Sequence, residues 1–71
     1  MSIRRQRFEK VATKRVDTIL KTLDLLSNCS NPYNYEYSKE DVEKIFKAIN
    51  IKITEVKVGF NSQLNKQKFC L

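Results

Sequence analysis

Two segments of the chain show the periodicity of an amphipathic helix, in which apolar side chains recur every three or four residues. The first apolar stripe consists of Phe8, Ala12, Val16, Ile19, Leu23 and Leu26. No proline or glycine interrupts this segment, and Ser2 is a residue suited to cap its amino end. The pattern predicts a helix from about residue 3 to residue 26.

The second apolar stripe consists of Val42, Ile45, Phe46, Ile49, Ile53, Val56 and Phe60. Ser38 precedes it with Asp41 three residues later, which is a shorter relative of the capping box. Gly59 is the expected carboxyl-terminal cap, so the predicted helix runs from about residue 39 to residue 59. Residues 51–60 are rich in β-branched side chains and can alternatively form a strand, but strict alternation fails at Glu55. We therefore expect helix there.

The segment between the stripes, residues 27–37, has the composition of a loop. It contains Asn28, Asn31, Pro32 and Asn34, and the proline forces the residue before it out of helical geometry. Tyr33, Tyr35 and Tyr37 alternate within it. We expect their rings to cover the open end of a helix pair. A short extended segment and a platform for stacking nucleic-acid bases are the alternatives.

Together these elements predict an all-α protein in which two long amphipathic helices form an antiparallel hairpin. The Tyr/Asn-rich loop joins the helices, and the hairpin domain spans residues 1–60. Residues 61–71 form a polar, basic tail that is either flexible or anchored to a partner through apolar side chains, namely Leu64, Phe69 and Leu71.

Five apolar residues lie off the direct seam between the two helices and predict a partner interface. They are Val11, Leu20, Leu25, Ile51 and Val58. A hairpin cannot enclose them, and a domain of 71 residues has a core that supplies only about 3–5 kcal/mol. Either a second copy covers them, giving a homodimeric four-helix bundle, or a larger protein assembly does.

Charge is concentrated in the first helix. The chain carries 14 Lys and Arg against 8 Asp and Glu, a net charge of +6. Half of the basic residues lie near the start of the chain: Arg4, Arg5, Arg7, Lys10, Lys14, Arg15 and Lys21. Arginines in a first helical turn oppose the helix dipole by roughly 0.3–1 kcal/mol each, but they suit a bound phosphate. This pattern predicts a nucleic-acid-binding face, although Asp17 interrupts it and a merely solvated basic face is the alternative.

Residues for catalysis or metal binding are missing from the sequence pattern. The chain has no histidine and only two cysteines, Cys29 and Cys70, without the spacing of a zinc site. No paired nucleophile and base or glycine-rich phosphate loop is visible, so we expect no enzyme, cofactor, metal or small-molecule substrate. No run approaches the ~20 apolar residues of a membrane span, so we expect no membrane partner. Without an apolar export signal, both thiols are expected to be reduced in the cytoplasm or an equivalent reducing compartment.

Two functional hypotheses follow. In the first, the protein is a small, non-enzymatic basic protein that binds nucleic acid or a ribonucleoprotein through phosphate-backbone contacts of the first helix, without reading sequence. RNA and DNA are equally compatible with this pattern. In the second, it is a protein-protein interaction module, such as an adaptor, inhibitor or small subunit that docks through its apolar helix faces.

Overall fold

The computed structural model of the chain describes the backbone of residues 2–68 and the side chains of residues 2–65. It contains two helices, α1 (Ile3–Asn28) and α2 (Lys39–Lys68), and no strand within the described residues. The predicted all-α class is confirmed. Residues 51–60 are helical throughout, so the strand alternative for this segment is wrong.

Helix α1 begins at the predicted cap. Ser2 has extended backbone angles (φ −77°, ψ 153°), and its hydroxyl oxygen accepts a hydrogen bond of 3.1 Å from the amide of Arg5. The helix ends at Asn28, two residues later than predicted, with Cys29 as its carboxyl-terminal cap. There the Cys29 amide donates to the Leu26 carbonyl at 2.9 Å and tightens the last turn.

The connecting segment is an ordered turn around Asn31. The side-chain oxygen of Asn31 accepts a hydrogen bond of 3.0 Å from the Tyr33 amide, which forms an Asx turn. The carbonyl oxygen of Asn31 accepts from the amides of Asn34 at 3.2 Å and Tyr35 at 3.0 Å. Both oxygens of Asn31 are therefore used within this turn.

Helix α2 begins with a reciprocal capping box. The Ser38 amide donates to Asp41 Oδ2 at 2.9 Å, and the Asp41 amide donates to Ser38 Oγ at 3.1 Å. The acidic side chains of Glu40 and Asp41 lie in the first turn, where the helix dipole favours negative charge. The start predicted from the sequence is therefore confirmed together with its chemistry.

The predicted end of α2 near Gly59 is wrong. The helix continues through Gly59 to Lys68, and no glycine in the described chain has a positive φ angle. Gly59 therefore has ordinary helical geometry and does not act as a cap. The apolar stripe explains the continuation, because Leu64 follows Phe60 by four residues and extends the same face. A single glycine costs a helix interior only about 1 kcal/mol, which such a stripe can offset.

The chain divides into two units between Glu36 and Tyr37, one for each helix. Within residues 2–65 no side chain is buried, and only Ala12, Leu26, Val42 and Ile49 are of intermediate exposure. The two-helix architecture is consistent with a hairpin, whereas the antiparallel packing stays a prediction. The division into a hairpin domain over residues 1–60 and a tail over residues 61–71 also stays a prediction, although α2 crosses its boundary. The proposed anchors Phe69 and Leu71, and Cys70, lie outside the described residues.

Over the described part of the chain, neither helix has a segment that is both long and apolar enough to cross a membrane.

Candidate nucleic-acid interface

The predicted phosphate-binding end of α1 is partly occupied by the protein's own cap. Of the first amides of a helix, which lack partners in the helix itself, the one on Arg5 already donates to the Ser2 hydroxyl. The amides of Ile3 and Arg4 are the ones that neither the helix nor this hydroxyl satisfies. No acidic residue lies in the first turn, so the dipole at this end is not offset there by side-chain charge.

Arg5 is engaged with its own helix. Its Nε donates to Glu9 Oε1 at 2.9 Å, forming an ion pair one turn along, and its guanidinium carbon lies 5.7 Å from the centre of the Phe8 ring. The two charged side chains are 59% and 49% exposed, so the pair contributes little to stability. It does neutralise one of the three arginines expected to bind phosphate.

The other predicted basic residues are exposed and fall in two rows along α1. Arg7, Lys10, Lys14 and Lys21 are separated by three, four and seven residues, so they share one side of the helix. Arg4 and Arg15 are eleven residues apart and lie about a quarter turn away from that row. Within the described residues the salt bridges are Arg5 with Glu9 and Lys52 with Glu55. None of these six basic residues belongs to either pair.

A shallow open groove runs along the same side of α1. Its lining residues are Gln6, Glu9, Lys10, Thr13, Lys14, Asp17, Thr18 and Lys21. Asp17 lies between Lys14 and Lys21 without an ion pair to either lysine, so it lowers the positive potential along the groove. Arg7 and Lys10, one turn or more before Asp17, form the part of this face that is free of acidic neighbours on the same row.

Two threonine hydroxyls near this groove already donate to the backbone. Thr18 Oγ1 donates to the Lys14 carbonyl at 3.1 Å, and Thr22 Oγ1 donates to the Thr18 carbonyl at 2.8 Å. A hydroxyl has one proton to donate, so neither group has a proton left for a phosphate oxygen. These two hydroxyls therefore do not donate to a phosphate bound on this face.

The predicted partner interface is not one continuous patch. On α1, Val11 and Leu20 flank the apolar stripe on opposite sides, whereas Leu25 is 66% exposed and lies on the side of Lys14 and Lys21. On α2, Ile51 and Val58 line a second shallow groove together with Lys47, Asn50, Thr54 and Glu55. The five predicted residues are therefore exposed, but the helices point them in several directions.

The three loop tyrosines differ in how far their side chains are exposed. Tyr33 is 95% exposed, and Tyr35 and Tyr37 are 51% and 45% exposed. Tyr33 follows the Asx turn at Asn31 and makes no buried contact, and the expectation that the rings cover the open end of a helix pair stays a prediction. Glu36 separates the other two tyrosines in the sequence.

The described residues contain no group of three or more Asp, Glu, Cys or His side chains that could hold a metal ion. Cys29 is an exposed free thiol, and its sulfur lies 4.0 Å from the Leu25 carbonyl. The engagement of Arg5 with Glu9 and Phe8 was not predicted from the sequence. Its signal was present in the four-residue spacing from Arg5 to Glu9, which is the spacing of helical ion pairs.

Comparison with known proteins gives no match, since no family model, curated protein or solved structure is significantly similar to this chain.

Proposed function

We propose that this protein is a non-enzymatic nucleic-acid or ribonucleoprotein binder that contacts the phosphate backbone through α1. The observation that carries the proposal is the set of exposed basic side chains along one helix, of which Arg5 alone has an acidic partner among the described residues. Unpaired guanidinium and ammonium groups are the donors that phosphate oxygens accept from most strongly. Contacts of this kind fix position on the backbone without reading sequence.

Among these basic side chains of α1, we assign the largest share of the phosphate contact to Arg4, Arg7 and Lys10. Arg4 lies in the first turn, where the helix dipole adds to its charge, Arg7 and Lys10 follow in the next two turns, and Asp17 is more than one turn beyond Lys10. Arg5 contributes less, because Glu9 already accepts from it. The proposed compartment is the cytoplasm or an equivalent reducing, non-secreted one.

The test compares two double variants with the same loss of charge. Arg4→Gln with Arg7→Gln removes two unpaired cations from α1, and Lys44→Gln with Lys47→Gln removes two from α2. Binding of mixed-sequence RNA and DNA is measured over a series of salt concentrations. For B-form DNA, losing two phosphate contacts lowers the slope of log affinity against log salt by about 1.8. The α2 variant is expected to keep most of the original slope.

If both variants bind as tightly as the original chain at low salt, the proposal fails. Equal weakening by both variants also contradicts it, because net charge and not α1 would then govern binding.

The second candidate is a protein-protein interaction module, such as an adaptor, inhibitor or small subunit. The observation in its favour is that no apolar side chain in residues 2–65 is buried. Large exposed apolar patches usually mark a contact with another protein. Affinity purification with and without nuclease separates the candidates, since recovery of a stoichiometric protein after nuclease supports the module and loss of all partners supports the binder.

A further inference from the structure

The apolar stripe of α2 contains a regular heptad repeat. Its residues are separated alternately by four and three positions: Val42, Phe46, Ile49, Ile53, Val56 and Phe60. In coiled-coil terms Phe46, Ile53 and Phe60 occupy a positions, and the other three occupy d positions. All six belong to one uninterrupted helix, and none is buried. We call them the α2 seam.

We propose that the α2 seam is covered by the α2 seam of a second copy of this chain, with the two helices antiparallel. In an antiparallel pair each a residue lies opposite a d residue of the other helix. One register satisfies all six residues together. It places Phe46 opposite the second copy's Val56, Ile49 opposite its Ile53, and Phe60 opposite its Val42. Each ring then faces a small side chain, which is the alternation that well-packed cores use.

Charge complementarity selects the antiparallel direction. In this register Glu43, which flanks the seam near the start of α2, lies beside the second copy's Lys57, and twofold symmetry makes two such pairs. A parallel pair in register instead brings Lys52 beside the second copy's Lys57, twice. Opposite charges beside a seam set the orientation of paired helices, and like charges there disfavour it.

One like-charge contact remains near the twofold axis, where Lys52 lies beside the second copy's Lys52. Lys52 Nζ forms an ion pair of 2.8 Å with Glu55 Oε2 on its own helix, which reduces this repulsion and would reduce that of Lys52 in a parallel pair equally. The two complementary Glu43 and Lys57 pairs therefore determine the electrostatic preference.

In this arrangement the α2 seam packs between copies of the chain and not against α1 as in the predicted hairpin, and it is also distinct from the partner interface predicted from the sequence. Ile51 and Val58 lie on the opposite side of α2, in the groove with Lys47 and Glu55. Ile45 and Leu64 flank the seam, one on each side, so the apolar stripe is wider than a two-helix seam requires. That extra width can accept a further helix beside each member of the pair.

The test uses charge reversal in the full-length chain. Glu43→Lys and Lys57→Glu are prepared separately, and dimerisation is measured by sedimentation equilibrium. Each variant alone creates two like-charge pairs, so its dimer dissociation constant is expected to rise roughly tenfold. In an equimolar mixture the two variants restore both complementary pairs across the interface. The mixed dimer is expected to regain the original affinity.

This rescue reports contact between copies. Residues 43 and 57 lie about 21 Å apart along one helix, so they cannot pair within a chain along α2. Glu40→Lys and Lys44→Glu are the matched controls, because both residues lie off the seam, and neither they nor their mixture should change the constant more than about twofold. Circular dichroism checks that every variant remains helical, and Glu43→Gln and Lys57→Gln remove charge without repulsion if a reversal lowers helicity.

A chain that stays monomeric at millimolar concentration overturns the proposal. Dimers that form without any rescue in the mixture also overturn it, since another face then makes the contact.

Discussion

Ser38 and Asp41 hold the start of α2 by exchanging two hydrogen bonds, each from the backbone amide of one residue to the side-chain oxygen of the other. Ser38→Ala removes the acceptor for the Asp41 amide and should lower the free energy of unfolding by about 1 kcal/mol. Thermal unfolding followed by circular dichroism measures the loss. Ser62→Ala, the same substitution in the interior of α2, should cost nothing, and an equal loss at both positions would show that the capping box is not responsible.

Gly59 is a site for stabilisation. A Cβ atom added there meets no other atom within 4 Å, and the backbone is already helical. Gly59→Ala should therefore raise the free energy of unfolding by roughly 0.5–1 kcal/mol, because alanine loses less conformational entropy in a helix. Ala48→Gly is the converse control and should lower it by a similar amount. A destabilised Gly59→Ala chain would indicate that α2 ends at Gly59 in solution, as the sequence pattern alone predicted.

Glu9 restrains Arg5, so its removal should strengthen nucleic-acid binding. Glu9→Gln frees the Arg5 side chain for a phosphate and is expected to steepen the salt dependence on B-form DNA by about 0.9. The matched control is Glu55→Gln, which breaks the other ion pair and releases Lys52 on α2 with the same change in net charge. Fluorescence anisotropy over a salt series compares the two. If both substitutions strengthen binding equally, total charge explains the effect and α1 has no special part.

Tyr33 is expected to be dispensable for both stability and phosphate contact. Because it is 95% exposed, Tyr33→Ala should change the free energy of unfolding by less than about 0.5 kcal/mol and leave nucleic-acid affinity unchanged. Were its ring a stacking platform, the same substitution would weaken binding to single strands by roughly 1–3 kcal/mol. Asn31→Ala serves as the loop control, since it removes the side-chain acceptor of the Asx turn while keeping all three rings.

The sequence predicted those parts of the fold that depend on interactions within one helical turn. The start of α2 was predicted down to its hydrogen bonds, because the side chains of Ser38 and Asp41 act within one turn of their own backbone. The end was missed because the rule for glycine caps considers Gly59 alone, whereas the apolar stripe through Leu64 favours continued helix. Propensity at one residue is about 1 kcal/mol and yields to a longer pattern.

Prediction of the candidate site was likewise limited to what single residues and local patterns reveal. Charge counting identified α1 as the basic helix but treated its arginines as equivalent, although Arg5 pairs with Glu9 and lies over the Phe8 ring. The sequence also did not predict which surface each apolar helix face contacts. Val11, Leu25 and Ile51 have the same chemistry, and the contact that any of them makes depends on packing between separate elements and not on local periodicity.

The charges of the two helices have opposite effects on their electric dipoles. In α1 the arginines lie at the amino end, where the aligned peptide groups are already positive, so the two contributions add. In α2 the acidic first turn and the later lysines oppose the peptide contribution. Under the proposed function, the torque of an approaching polyanion would therefore act chiefly on α1 and turn its amino end toward the polyanion before any contact forms. Such orientation would raise the rate of productive encounter, and the first turn of α1 would contact the polyanion first.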